Sequence, residues 1–121
     1  MLFIGDIGKL TLENNNFRKV IATNKYQQLV LMSLKPKEEI GKEIHKKVDQ
    51  YFRVEKGTAL AILGKNGEET YKLKKEHVIV IPAGTYHNII NIGKGDLKMY
   101  TIYAPPNHKP TTINKTKPLK D

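Results

Sequence analysis

Strand-like runs only a few residues long, each closed by Gly, Pro or Asn, follow one another along this chain, and no convincing long amphipathic helix interrupts them. Phe17 to Thr23 reads as a strand closed by Asn24-Lys25; Tyr26 to Leu34, rich in Leu, Val and Met, is ended by Pro36. Thr58 to Leu63 and Glu68 to Leu73 flank Gly64-Lys65-Asn66-Gly67, a hairpin turn because Gly and Asn tolerate positive φ. Val78 to Ile81 reads as a buried strand, and Leu97 to Tyr103 follows the Gly93–Asp96 turn and stops at Pro105-Pro106. This spacing predicts an all-β sandwich or barrel, and the repeated strand–turn–strand units suit a double-sheet jelly roll. The opening segment, Met1 to Asn16, is expected to be a short edge strand or an arm that pairs with another subunit. The tail from Asn107 to Asp121 is rich in Lys, Pro and Thr and is expected to be irregular.

Chemistry-bearing residues concentrate in two stretches. In Glu43-Ile44-His45, the carboxylate and the imidazole sit two apart, so a strand would project both from one face. Gln50 to Glu55 alternates, with Gln50, Phe52 and Val54 on one face and Tyr51, Arg53 and Glu55 on the other, outward or in a subunit interface. An ionised Glu on an interior face is costly unless a cation meets it, and a divalent metal suits both a carboxylate and a neutral imidazole. In the second stretch a turn at Pro82 to Gly84 leads into a strand on which His87, Ile89 and Asn91 share a face. Asn91 is expected to satisfy backbone groups at the strand end. Met32, Leu34, Phe52, Val54, Met99 and Thr101 are the expected core or pocket wall, and His77 and His108 are expected in solvent.

Together the stretches resemble the paired motifs of the cupin superfamily, written G-x5-H-x-H-x(3,4)-E-x6-G and G-x5-P-x-G-x2-H-x3-N. Pro82, Gly84, His87 and Asn91 match the second motif without a gap, and Gly57, Gln50 and His45 fall in register with the first. Glu43 stands where the family usually has its first His, Gln50 where it has Glu, and Glu76 where the second motif opens with Gly. The resemblance implies a cupin double-stranded β-helix as a single domain over residues 1–121, with its core over about residues 17–105. It also implies a divalent transition metal (Fe, Mn, Ni, Co or Zn) held by Glu43, His45 and His87. Gln50 is then a candidate fourth ligand or a hydrogen-bonding neighbour of the ligands. Small cupins of this kind are similar to mannose-6-phosphate isomerase and kindred sugar enzymes in fold and metal motif.

Composition narrows the function classes. The chain has no cysteine, which excludes disulfides, thiolate metal sites and cysteine nucleophiles. No apolar run approaches the roughly 20 residues that span a bilayer, and no signal-peptide pattern opens the chain, so a cytoplasmic protein without membrane contact is expected. The net charge of +9 comes from scattered Lys with only two Arg, the pattern of a solvated surface and not of a nucleic-acid reader. The expected partners are a small-molecule substrate or ligand and, by a homodimer contact, a second copy of the chain. Two functions fit: a metal-dependent enzyme on a small organic molecule, of oxygenase or isomerase type, or a non-catalytic small-molecule binding or sensor barrel.

Overall fold

Short runs pairing as antiparallel strands build the barrel. The computed structural model describes residues 1–119 and contains two antiparallel sheets and one short helix, α1 (Ile7–Glu13). The strands are β1 (Arg18–Thr23), β2 (Gln28–Leu34), β3 (Asp49–Lys56), β4 (Ala59–Leu63), β5 (Glu69–Leu73), β6 (Val78–Ile81), β7 (His87–Asn91), β8 (Leu97–Ala104) and β9 (Ile113–Asn114). Six form a sheet in the order β6-β3-β8-β2-β1-β9, and β5-β4-β7 form the other. This is the expected double-stranded β-helix.

Register explains where chemistry and core separate. On the inner face of the large sheet, β2, β8 and β3 place Met32, Met99 and Val54 side by side, then Val30, Thr101 and Phe52, then Gln28, Tyr103 and Gln50. All nine are at most 2% exposed, so the first two rows are core and the third is a buried polar end. Leu34 and Leu97 close the opposite, apolar end. The small sheet answers with Ile89 of β7 and with Ala59 and Ala61 of β4, two small residues that leave room for the large side chains opposite. Each large apolar side chain buried this way contributes roughly 1.5–3 kcal/mol.

An irregular segment, residues 37–45, runs antiparallel along the free edge of β7. Lys37 N donates to Asn91 O, Ile40 N to Ile89 O, and Glu43 and His87 exchange two backbone hydrogen bonds of 2.9 Å. Residues 43–45 are therefore not the strand expected from their spacing; a single bridge to β7 holds them.

Five other expectations are corrected. The opening segment forms α1, capped by Asp6, whose carboxylate accepts from Lys9 N at 3.1 Å. Ile7, Leu10, Thr11 and Asn14 turn towards the protein at helical spacing, over too short a run to stand out in the sequence. The helix packs against β2, β3 and β8, and Glu55 on β3 is buried instead of facing outward, its Oε1 3.1 Å from Arg53 Nε. Strand β6 is an edge strand, not a buried one: Val78 is 42% and Val80 66% exposed. The tail contributes β9, which pairs Asn114 with Arg18; Lys120 and Asp121 lie outside the described residues. His108 is half-buried, its ring against that of Tyr103, whereas His77 is exposed as expected.

The turns obey their local chemistry. Gly57 has φ +95°, and a Cβ there would lie 2.9 Å from Asp96 O, so both conformation and space require glycine. Glu76, where the second cupin motif opens with Gly, adopts φ +71°, a left-handed conformation that glycine takes more readily.

Candidate metal centre

Three side chains converge at the polar end of the barrel. The reciprocal bonds between Glu43 and His87 set these residues directly opposite one another, and His45 follows two positions on. His45 O then accepts from Gly84 N at 2.8 Å, and Asp49 Oδ1 accepts from Ala83 N at 2.8 Å. The Pro82–Gly84 turn is thereby tied both to the segment that carries Glu43 and His45 and to the start of β3.

The result is a compact donor set. Nε2 of His45 and Nε2 of His87 each lie 3.6 Å from Oε1 of Glu43, and the three candidate ligand atoms are within 4.8 Å of one another. The His87 side chain is 1% exposed, that of His45 11% and that of Glu43 24%. Among the described residues neither Nε2 has a hydrogen-bond partner, although both are buried. Orphaned buried polar atoms are costly and call for an explanation. Nδ1 of His87 lies 2.9 Å from Thr85 O; if it carries the proton, it donates there and Nε2 presents its lone pair to the cluster. Two imidazole nitrogens and a carboxylate oxygen are the donors a first-row divalent metal takes. The residues fit the ion.

Electrostatics agree. Burial alone pushes the Glu43 carboxyl up, but the two imidazoles beside it outweigh that and bring it down to about 2. Glu43 is thus ionised at neutral pH and has no Lys or Arg salt-bridge partner among the described residues.

The wall is aromatic. The Tyr103 ring stands edge-on to His45 with centroids 5.8 Å apart, and Phe52 stands 6.5 Å from His87. Gln50 lies between them in the fold, next to Phe52 on the inner face of β3 and opposite Tyr103 on β8. Its Nε2 donates to Thr101 Oγ1 at 3.0 Å, and its buried Oε1 has no partner among the described residues. Asn91 sits at the far end of β7 and does what the sequence suggested for it: Nδ2 donates to Leu34 O and Gly95 O, and Oδ1 accepts from Gly93 N. A cleft of about 340 Å³ near the Gly64–Gly67 turn, bordered by Lys42, Ile62 and Asn88, has His87 among its lining residues.

Sequence reasoning missed Thr85, Tyr103 and the role of Thr101. Tyr103 falls two positions beyond Thr101 on the same strand face, and Thr85 two before His87, so parity was the available signal for the first and the turn for the second.

Comparison with known proteins points the same way. The Cupin domain family model matches residues 30–103. The chain is 50% identical over 118 residues to the uncharacterized protein L612 of Acanthamoeba polyphaga mimivirus, covering 97% of this chain and 74% of that one. It is 44% identical to the uncharacterized protein YrkC of Bacillus subtilis, covering 95% of this chain and 63% of that one. A Bacillus halodurans protein of known crystal structure superposes with a TM-score of 0.95 at 40% identity, covering 97% of this chain and 91% of its own.

Proposed function

The chain belongs to the cupin family, and from that premise and the donor cluster we propose that it binds a divalent transition metal and acts as a metal-dependent enzyme on a small organic molecule. One observation carries this reading: two buried imidazole nitrogens, each without a hydrogen-bond partner among the described residues, face one ionised carboxylate.

Glu43, His45 and His87 would hold the ion, with Gln50 as a fourth donor through Oε1. Fe, Mn, Ni, Co and Zn all accept this set. When bound, such an ion supplies a Lewis acid or a redox centre with coordination positions open to substrate. The chain's own groups do the rest. Glu43 supplies the negative charge, Thr85 fixes the His87 ring, and Phe52 and Tyr103 wall off water from one side. Within the cluster Glu43 is the one carboxylate, and it is taken as a ligand, so sugar-isomerase chemistry would lack a separate carboxylate base there. This favours substrate activation at the metal over proton abstraction by a neighbouring side chain.

We take the partner to be a small molecule, with a second copy of the chain as homodimer partner. The exposed Val78 and Val80 on edge strand β6 offer apolar surface for that contact, and light scattering after size exclusion measures it. Among the described residues no helix is long and apolar enough to cross a membrane.

The decisive experiment is elemental analysis of untagged protein beside His45→Ala and His87→Ala. Near-stoichiometric metal, lost in both variants, is expected. No metal in the wild type, even after anaerobic loading with Fe, Mn, Ni, Co or Zn, overturns the proposal. Stoichiometric metal with tight ligand retention and no turnover would make the protein a binding or sensor barrel.

A further inference from the structure

A carboxamide beside a cation has a right and a wrong way round. Its carbonyl oxygen can coordinate a metal, whereas its NH2 group carries two donors and no lone pair for the purpose. A Glu at the same place has no such ambiguity, because both ends are oxygen. Gln50 stands where the cupin motif has Glu, so this chain needs something to hold the amide in one orientation.

Thr101 is placed to do that. It lies on the inner face of β8, 0% exposed, in the row next to the one that pairs Gln50 with Tyr103. Its Oγ1 accepts from Gln50 Nε2 at 3.0 Å. Gln50 itself is 2% exposed, and its Oε1 is left without a partner among the described residues. That orphan belongs to the same end of the barrel as the orphaned nitrogens of His45 and His87, since Tyr103 touches His45 and Phe52 touches His87.

Resting on the metal reading above, we propose that Thr101 is a positioning residue for the centre: by accepting the Gln50 N–H, it commits Oε1 to the metal as the fourth ligand. Without the hydroxyl, a metal-bound Gln50 would bury an unsatisfied NH2 group. That loss is felt in the metal-bound state, where the amide can no longer reorient.

The test is Co(II) titration of the metal-free protein, following visible absorption and bound metal, for wild type, Thr101→Val, Thr101→Ser, Gln50→Leu and the Gln50→Leu/Thr101→Val double variant. Expected are a loss of Co(II) affinity of about 5- to 20-fold in Thr101→Val and a value within about twofold of wild type in Thr101→Ser. Gln50→Leu should alter the Co(II) absorption band, and Thr101→Val should cost nothing further in that background, because there is no amide left to position. A Thr101 that served packing alone would still cost affinity there, and that result overturns the proposal. So does Thr101→Val binding Co(II) as wild type does. Should Thr101→Val not fold, Gln50→Leu alone decides: an unchanged affinity and spectrum remove Gln50 from the centre and Thr101 with it. A wild type that takes up no Co(II) is a different failure, seen in the metal content, and overturns the metal reading together with this inference.

Discussion

Metal should be worth a measurable amount of stability to this fold, and two imidazoles should account for it. The site is assembled only when segment 37–45 lies along β7, so an ion that binds the native cluster and not the unfolded chain shifts the folding equilibrium. At a free metal concentration 100 times Kd the gain is about 2.7 kcal/mol. Unfolding entropy for a chain of 121 residues is about 250 cal/mol/K, so that gain raises Tm by about 11 °C. In His87→Ala the gain should vanish. The metal-free variant should nevertheless lose less than the roughly 3–5 kcal/mol typical of truncating a buried aromatic ring. The reason is that His87 Nε2 is a buried acceptor with no partner among the described residues, and deleting it removes a desolvation cost of about 1–3 kcal/mol that the wild type bears. Differential scanning fluorimetry of chelator-treated protein, with and without each metal, reads both quantities. A variant that keeps the metal-induced shift refutes the assignment of His87 as a ligand. A metal-free variant destabilised by 4 kcal/mol or more (about 16 °C) refutes the argument that the orphaned nitrogen is costly.

Three further outcomes are expected. Asn91→Ala strands Leu34 O, Gly95 O and Gly93 N at the apolar end of the barrel, and should lower unfolding free energy by about 2–4 kcal/mol in a urea titration while leaving metal stoichiometry intact. Lys98 is buried and donates to Asn14 O, Asn15 Oδ1 and Ser33 Oγ at 2.5–2.9 Å, tying the segment after α1 to the large sheet; Lys98→Met should cost about 1–3 kcal/mol in the same assay. In metal-free protein the Glu43 carboxyl is depressed from 4.5 to about 2, so its contribution is fully present above pH 4.5 and is lost as pH falls through 2. Glu43→Gln should therefore flatten the fall in Tm between pH 4.5 and pH 2, removing no more than about 3 kcal/mol of pH dependence; an unchanged slope would show that Glu43 is not held down by the imidazoles.

Residues whose role is set by their neighbours in sequence were legible without the structure. Alternation put Gln50, Phe52 and Val54 on one face because strand periodicity is local, and Gly57 and Gly84 marked turns because positive φ is a property of one residue. Glu43, His45 and His87 could be grouped because the spacing within each motif is local, and the resemblance linked one motif to the other. What lay beyond reach depends on partners distant along the chain. Val78 and Val80 look like core from composition, yet β6 is a sheet edge with one neighbour, a consequence of the order in which six strands assemble. Ile7 to Glu13 is too short to declare a helix by period, and it forms one against the large sheet, where packing adds to its Asp6 cap. Thr101 reads as a wall residue on its strand; only the register of β3 on β8 brings its hydroxyl to the Gln50 amide. Sequence by itself determined the strands, the turns and the kinds of donor available, because each is decided within a few residues. Tertiary structure decided which donors meet and which are left without partners, because burial and long-range register belong to the assembled barrel alone.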